Sequence, residues 1–493
     1  MKMTIRNIII LITLFSVQEI NAQTLHEKID SLGQITLNES GTLGGYVSII
    51  QSDSVIYSEA FGFNDKRAQS RLNDSTIFPI SSNTKAFNSI LLSQLVEKEE
   101  LDFDKPLKTY LPKIEFKSEF ITNNINLTDL LTHRWGIPRY DFTYYLLSNE
   151  EKKNANESVF NKLKFLEIST PFRTRFQYGN NQYIIAAYLL EELTGNKWED
   201  QLNTQILIPL EMNDSHCELT GFIDCKNKSI GYQNKEEVDI MLGAPLYEVS
   251  GMGNIFSSIR DLEKWSKFLM NGNDLILTKE FINYNLHSHF NIGYEEPYQG
   301  FSNMEYGFGW FIFDYYGHKV VLHHGDNVGH QSLIVLLPDD NLSWVIMANE
   351  GMKSYGFPFT MTYFLLDLFL DEEEKDWNTI LPNNSAFNLK YPDSLIVQNK
   401  IPTLKLKKYA GEYSNDGFGL LEFYMLDGKL IIHAGAYTDE LTHLKNNSFR
   451  AVSEEFKEDY IFTFEVNEDD EVVSVKTDLI EPTIDLIEFK KRL

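Results

Sequence analysis

An α+β domain followed by a smaller all-β domain is the fold class this sequence predicts, on three observations. Apolar residues recur at helical spacing in several segments before residue 370, and strand-like runs pair around turn residues between them. From Tyr409 to Leu493, short alternating strands run without a helix. The 493 residues can bury a large core, and at ~150 residues per domain they allow two or three domains. With 71 Asp+Glu against 44 Lys+Arg, a formal net charge of -27, and no Lys/Arg-rich run, the chain lacks the electrostatic footprint of a nucleic-acid binder. The acidity is read as a solvated surface.

At the N-terminus, Lys2 and Arg6 precede the apolar stretch Ile8 to Phe15, and small Ala22 stands before Gln23. This is the pattern of a secretory signal peptide over residues 1–22, with the periplasm or the medium as expected destination. The stretch is too short to span a bilayer at roughly 20 residues. The best later candidate, Phe359 to Leu370, carries Asp367, so no stable membrane insertion is expected.

Further on, Tyr46 to Ile50 and Ser54 to Tyr57 read as a hairpin turning at Ser52 and Asp53. Phe87, Ile90, Leu91, Leu95 and Val96 predict a buried helix beginning near Ser82. A second helix runs from Tyr183 to Leu193 with Gly195 as its C-cap. Ile259 to Met270 predicts an amphipathic helix, and Leu333 to Met347 two strands around Pro338, Asp339, Asp340 and Asn341. The acidic run Asp371 to Glu374 and then Pro382, Pro392 and Pro402 mark a boundary. The expected division is therefore a signal peptide at 1–22, a main domain at 23–372, a linker at 373–404 and a β-barrel or sandwich at 405–493. Cys217 and Cys225 are too few for a zinc ribbon and are either bridged across a small loop or free.

Three segments carry candidate chemistry. In Ser82-Asn83-Thr84-Lys85, positions i and i+3 share a helix face, so the lysine amine reaches the serine hydroxyl. A hydroxyl needs such a base to become a nucleophile, and a helix N-terminus supplies N–H donors to an oxyanion. The bland alternative is an N-cap serine beside a surface lysine. In Tyr178-Gly179-Asn180, a phenol of pKa ~10 is only about 0.1% ionised at neutral pH, but a neighbouring ammonium favours phenolate and would make Tyr178 a proton shuttle. Asn180 then has a substrate carbonyl within its scope, against the alternative of a buried tyrosine capping a loop. In His323-His324-Gly325, ending an apolar strand, the glycine leaves room for a substrate backbone at the strand edge. His318, His330 and Asp326 match no familiar zinc spacing with this pair, and no metal or organic cofactor is expected.

Taken in order, Ser82-Asn83-Thr84-Lys85, Leu130 to Pro138, Tyr178-Gly179-Asn180 and His323-His324-Gly325 resemble motifs of the serine β-lactamase and penicillin-binding superfamily. Within it they are most similar to the class C-related branch of esterases and D-amino-acid peptidases. Asp102 to Pro112, Gly251 to Trp265 and Tyr306 to Trp310 support the likeness, which runs from about Gly44 to Asn349. The resemblance implies a central antiparallel sheet flanked by helices, with an all-helical lobe and the site between them. It implies Ser82 as nucleophile, Lys85 and Tyr178 as proton-transfer groups, and Asn180 and His323 at the substrate. The N–H groups of Ser82 and Asp326 would form the oxyanion hole, and which of Lys85 and Tyr178 takes the serine proton stays open.

The implied function is an acyl-enzyme hydrolase of esters or D-amino-acid amides and peptides. A β-lactamase or D-Ala-D-Ala carboxypeptidase, and a quiet receptor for peptidoglycan fragments, are the alternatives. His323 stands where many relatives carry a strand lysine, which lowers the expectation of efficient β-lactam cleavage. Asp326 stands where glycine is frequent, and its carboxylate is expected to attract an ammonium. The segment beginning Tyr409-Ala410-Gly411-Glu412-Tyr413 resembles the lipocalin-like β-domain appended to some of these hydrolases. The pocket walls are expected from loops such as Asn283 to Asn303.

Overall fold

The computed structural model describes residues 25–293, 298–351, 356–381, 402–435, 437–453, 458–481 and 483–492. The expected signal peptide therefore lies outside the described residues. β1 (Gly44–Gln51) is buried along all but its last residue, as its near-continuous apolar run requires of a central strand. β2 (Ser54–Gly62) is partly exposed and lies at the sheet edge. The turn falls at Ser52, whose φ of 54° is left-handed.

Six further strands complete the sheet: β3 (Phe290–Asn291), β4 (Phe301–Tyr306), β5 (Phe311–Tyr315), β6 (His318–Asn327), β7 (His330–Leu337) and β8 (Leu342–Ala348). Their order is β2-β1-β8-β7-β6-β5-β4-β3, and every pair is antiparallel. β1 pairs with β8, Val47 opposite Ile346, so the two ends of the domain meet in mid-sheet.

The sheet buries both faces. α1 (Thr84–Glu97), α2 (Leu127–Leu131), α3 (Asn181–Thr194) and α4 (Ile259–Asn271) lie on one side, where Phe87, Ile90 and Trp265 share a core with Val321, Ile334 and Met347. The Phe87 and Trp265 rings stack at 3.8 Å between centroids. On the other face α5 (Gly356–Phe369) packs Phe357 and Leu365 against Val47, Val335 and Trp344. α4 has the expected amphipathic pattern and is capped by Ser258, whose side chain accepts from Asp261 N. α3 ends on Gly195 at φ 69°, as its sequence requires.

Asp367, the charge inside the most apolar segment, is buried and accepts from Trp377 Nε1 at 2.7 Å. Trp377 and Leu381 belong to the α5 core. The main domain thus extends to residue 381, nine residues beyond the expected boundary; residues 382–401 of the expected linker lie outside the described residues. Among the described residues no helix is long and apolar enough to cross a membrane. Cys217 and Cys225 are free thiols.

Beyond residue 401, eight strands close into an antiparallel barrel: β9 (Gly411–Asn415), β10 (Gly419–Leu426), β11 (Lys429–Ala434), β12 (Tyr437–Lys445), β13 (Ser448–Ser453), β14 (Glu458–Val466), β15 (Val472–Thr477) and β16 (Ile487–Lys491). Closure removes the sheet edges, with β9 paired to both β10 and β16. The Asp427-Gly428 turn has both φ values positive, 49° and 80°, the twist that a two-residue hairpin needs. Tyr413, Phe423, Phe449, Phe462 and Phe464 fill the barrel core.

In the helical lobe, Asn126 and Asp129 form a reciprocal capping box at α2. The same buried carboxylate accepts from Arg134 Nε at 2.7 Å and from Arg173 Nε and Nη2 at 2.8 and 2.7 Å. It ties together the two loops that lead to Pro138 and to Tyr178. Replacing Asp129 by Ala leaves two guanidiniums without their partner and removes a cap. Urea denaturation is expected to register a loss of about 3 kcal/mol or more, against about 1 kcal/mol for Asn126→Ala.

Candidate active site

The chain reaches Ser82 along a short extended segment, Phe78–Pro79, paired with Phe256–Ser257. One 3-10 turn, Ser81–Asn83, then feeds α1. Ser81 has a φ of 47°, strained for a residue with a Cβ, and aims the next side chain off the helix start. β6 holds this turn in place. A Cβ on Gly325 would lie 2.0 Å from the Ile80 carbonyl oxygen and 2.6 Å from Ser332 Oγ. The room that Gly325 leaves is therefore filled by protein, not left for substrate as the sequence suggested. Ser332 Oγ donates to the Ile80 carbonyl at 2.9 Å, and the Asn83 amide lies 2.8 Å from the same hydroxyl.

Lys85 is buried, with Nζ 3.0 Å from Ser82 Oγ, 2.9 Å from Asn180 Oδ1 and 3.0 Å from the Met252 carbonyl. Burial first, and then the Arg139 guanidinium, hold the ammonium well below the usual lysine range, while Asp141 works in the other direction. A neutral amine has two N–H donors and one lone pair. Once unprotonated, Lys85 can direct its two donors at Asn180 and Met252 and its lone pair at the serine hydroxyl, 3.0 Å away.

Tyr178 departs from expectation. Its ring centroid lies 5.0 Å from Lys85 Nζ, but burial pushes the phenol up to about 12, against hydrogen bonding toward Ser82 and the Arg139 charge. At that value the phenol keeps its proton at neutral pH, and the phenolate expected from the sequence is not favoured. Asn180 is likewise committed within the protein: Nδ2 donates to Asp141 Oδ1 at 3.2 Å and to Tyr144 OH at 3.0 Å, and its oxygen accepts from Lys85. It positions the lysine.

His323 has no exposed surface and sits behind Tyr178, with Nε2 3.2 Å from Tyr306 OH and Nδ1 2.8 Å from the His324 carbonyl. Burial, then His324 and Lys85, keep it well below the ordinary imidazole value, so it offers no charge to a substrate. His324 is pushed down to about 4 by burial, Lys85 and Arg139. Asp326 lines a cavity of about 140 Å³ together with Ser82, Asn180, Arg139, Asp141 and Tyr144. Larger hollows lie near Glu191 and near Tyr232, but neither is lined by Ser82. Among the described residues, no cluster of His, Cys, Asp or Glu is arranged to hold a metal.

The sequence reading missed Arg139, Asp141 and Tyr144. Arg139 is ion-paired to Asp141 and places its guanidinium 5.8 Å from the Tyr178 ring centroid. The only signal available was an Arg-x-Asp directly after Pro138. The expected walls at 283–303 do not line the cavity among the described residues; they come from 139–145, 246–253 and 326–328.

The family described as Beta-lactamase matches residues 23–355, and a domain of unknown function, DUF3471, matches residues 397–491. The chain is 26% identical over 455 residues to the unguisins hydrolase ungD of Aspergillus violaceofuscus, covering 83% of this chain and 78% of that protein. It is 22% identical over 325 residues to Protein flp of Staphylococcus aureus, covering 66% and 63%. In structure it is similar to the octameric penicillin-binding protein homologue from Pyrococcus abyssi, with a TM-score of 0.61, 21% identity and coverage of 94% and 99%. It is also similar to the D-amino acid amidase from Ochrobactrum anthropi, with a TM-score of 0.56, 20% identity and coverage of 71% and 98%. At these identities the two structures speak for the fold.

Deprotonation of Lys85 sets the direction of a pH profile. Reactivity of Ser82 is expected to rise with pH through the lowered lysine value. Because Arg139 depresses that value and Asp141 raises it, Arg139→Gln moves the acid limb to higher pH and Asp141→Asn to lower pH. Labelling rates measured across pH with a serine-directed phosphonate check both signs, the Arg139 shift being small because its side chain is 55% exposed and screened.

Proposed function

The chain belongs to the beta-lactamase family of serine hydrolases, and from that premise we propose that it cleaves esters or D-amino-acid amides through an acyl-enzyme on Ser82. The observation that carries the reading is the buried Lys85 amine, 3.0 Å from Ser82 Oγ and held by Asn180 and Met252. As Oγ attacks the acyl carbon, the Lys85 lone pair takes its proton. The oxyanion forms against the N–H groups of Ser82 and Asp326, at the start of α1 and the end of β6. Tyr178, protonated below about 12, relays a proton to the leaving amine or alkoxide. Water then enters by the reverse relay and releases the acid.

The cavity bears charge of both signs, with Arg139 on one wall and Asp326 on another. Asp326 suits the ammonium of a free amino acid amide. A relative named for a hydrolase and a fold neighbour named for D-amino acid amides support that class. The second reading, a penicillin-binding carboxypeptidase or β-lactamase, gains from Arg139, which offers a carboxylate partner that neutral His323 does not. A quiet receptor would not need a lysine taken out of water beside a serine. Secretion, from Lys2, Arg6 and the apolar stretch after them, is part of the proposal.

Intact-mass labelling with a fluorophosphonate and with a penicillin tests the reading. One phosphonate adduct is expected, absent in Ser82→Ala and slowed at least about 10³-fold in Lys85→Ala. A stable penicilloyl adduct would move the assignment to the second reading, and no adduct from either reagent on folded protein would overturn both. Asp326→Asn is expected to reduce the preference for amine-bearing over N-acylated substrates, and an unchanged ratio of kcat/KM values removes Asp326 from recognition.

A further inference from the structure

We infer that the C-terminal barrel is a working part of the active site, holding the segment from Arg139 to Leu147 so that Arg139, Asp141 and Tyr144 surround Ser82. The inference rests on the reading of Ser82 as nucleophile and adds Glu481 and Phe418 as positioning residues.

Its starting point is Tyr140. This residue is fully buried, and its φ of 49° is left-handed, an uncommon state for a residue with a Cβ. It separates two residues that line the cavity, Arg139 and Asp141. Such a conformation persists only where the surroundings over-determine it. The main domain supplies part of the hold: Tyr140 OH accepts from Glu167 N at 2.9 Å, and its carbonyl accepts from Asn181 Nδ2 at 3.1 Å and Thr143 Oγ1 at 2.9 Å. The barrel supplies the rest. Tyr140 N donates to Glu481 Oε2 at 2.9 Å, and its ring lies parallel to Phe418 within 3°, at 5.9 Å between centroids.

Glu481 is 3% exposed and is itself fixed, accepting at its other oxygen from Thr483 N at 3.0 Å and Thr483 Oγ1 at 2.5 Å. Two further contacts follow along the segment. Phe142 meets Tyr437 and Tyr460 edge to face at 5.9 and 5.8 Å, and a Cβ on Gly435 would lie 2.0 Å from the Tyr145 carbonyl oxygen. Phe418, Gly435 and Glu481 fall in the β9-β10, β11-β12 and β15-β16 connections. In an up-and-down barrel these alternate connections lie at one end. Through these three connections that end bears on the segment.

From the segment, the link to the chemistry is two hydrogen bonds long. Asp141 and Tyr144 accept from Asn180 Nδ2, and Asn180 Oδ1 accepts from Lys85 Nζ. The barrel thus grips a buried residue that stands directly between two cavity-lining side chains, Arg139 and Asp141. Loss of the grip releases Tyr140 from its left-handed state and turns Arg139 and Asp141 away from Lys85.

The test uses the full chain with Glu481→Ala, Glu481→Gln, Phe418→Ala and, at the opposite end of the barrel, Lys429→Gln. Two readouts are taken: the fluorophosphonate labelling rate at Ser82 and amide hydrogen exchange over residues 139–147. Glu481→Ala and Phe418→Ala are expected to label roughly tenfold to a hundredfold more slowly, a displacement of about 1 Å being enough for that. Both are expected to exchange faster at Tyr140. Glu481→Gln keeps an acceptor for Tyr140 N and is expected to recover most of the rate, and Lys429→Gln to leave it unchanged. If a truncation variant does not fold, Gly435→Ala, which pushes on Tyr145 without removing a contact, is read in its place. Folded variants that label within twofold of wild type and exchange normally overturn the inference. A wild-type chain that does not label at all defeats the Ser82 reading instead, and unchanged exchange over 139–147 in Glu481→Ala then defeats this one separately.

Discussion

The burial of one lysine amine organises this molecule. Lys85 has no contact with solvent, and its Nζ is fixed by Ser82, Asn180 and the Met252 carbonyl. An ammonium in that place would lose its hydration for three partial partners, so burial shifts the balance toward the unprotonated amine. Each partner comes from a different part of the chain: the turn before α1, the start of α3 and the loop that leads into α4. Water reaching Nζ would favour the ammonium, so the close packing around the lysine bears directly on its protonation.

That packing is reached through close backbone approach. Gly325 admits the Ile80 carbonyl beside β6, and Gly309, at φ 82°, brings the β4-β5 turn within 2.9 Å, measured from where its Cβ would stand, of Ala86 N in α1. Ser81, His133 and Tyr140 all have left-handed φ values, and each adjoins a residue of the site or packs on one. The His133 ring lies 4.6 Å from Tyr178, and its Nδ1 accepts from Gly179 N at 3.4 Å. Strain gathered around one cavity fits a preorganised site, where side chains are aimed before any substrate arrives.

The charge distribution follows the same logic. The chain is strongly acidic, yet the groups nearest Lys85 include three histidines, all held below their ordinary values, His133 and His323 far below and His324 at about 4. Burial is the main cause for each; Lys85 adds to it at all three, and Arg139 at His133 and His324. The histidines thus add little positive charge, and Arg139, Asp141 and Asp326 are the charged features at the cavity wall. The barrel enters this arrangement through Tyr140, so the two halves of the chain meet where the charge is set.

Local rules reached a long way into this structure. Periodicity and turn chemistry placed the first hairpin, the helices following Ser82 and Asn180, the strands either side of Pro338 and the β-rich tail, because each depends on neighbours within a few residues. The Ser82 to Lys85 spacing fixed one contact of the site for the same reason, both residues standing on one helical turn. What the sequence could not express is distance between separate segments. It assigned Asn180 and Gly325 to the substrate, and could not show that Asn180 also holds Lys85 and Asp141 or that Gly325 admits the Ile80 carbonyl, contacts made by the sheet and by α3. It passed over Arg139, Asp141 and Tyr144, since nothing local marks a loop whose holding contacts come from Asn181 and from the distant barrel. It expected phenolate at Tyr178 because the charge of a lysine is read as fixed until burial is known. Ser82, Lys85 and Tyr178, the residues of the proposed chemistry, were thus legible in the sequence alone. Their protonation and their partners were decided by the tertiary structure, because both depend on how far each group is taken from water and on what the rest of the chain brings beside it.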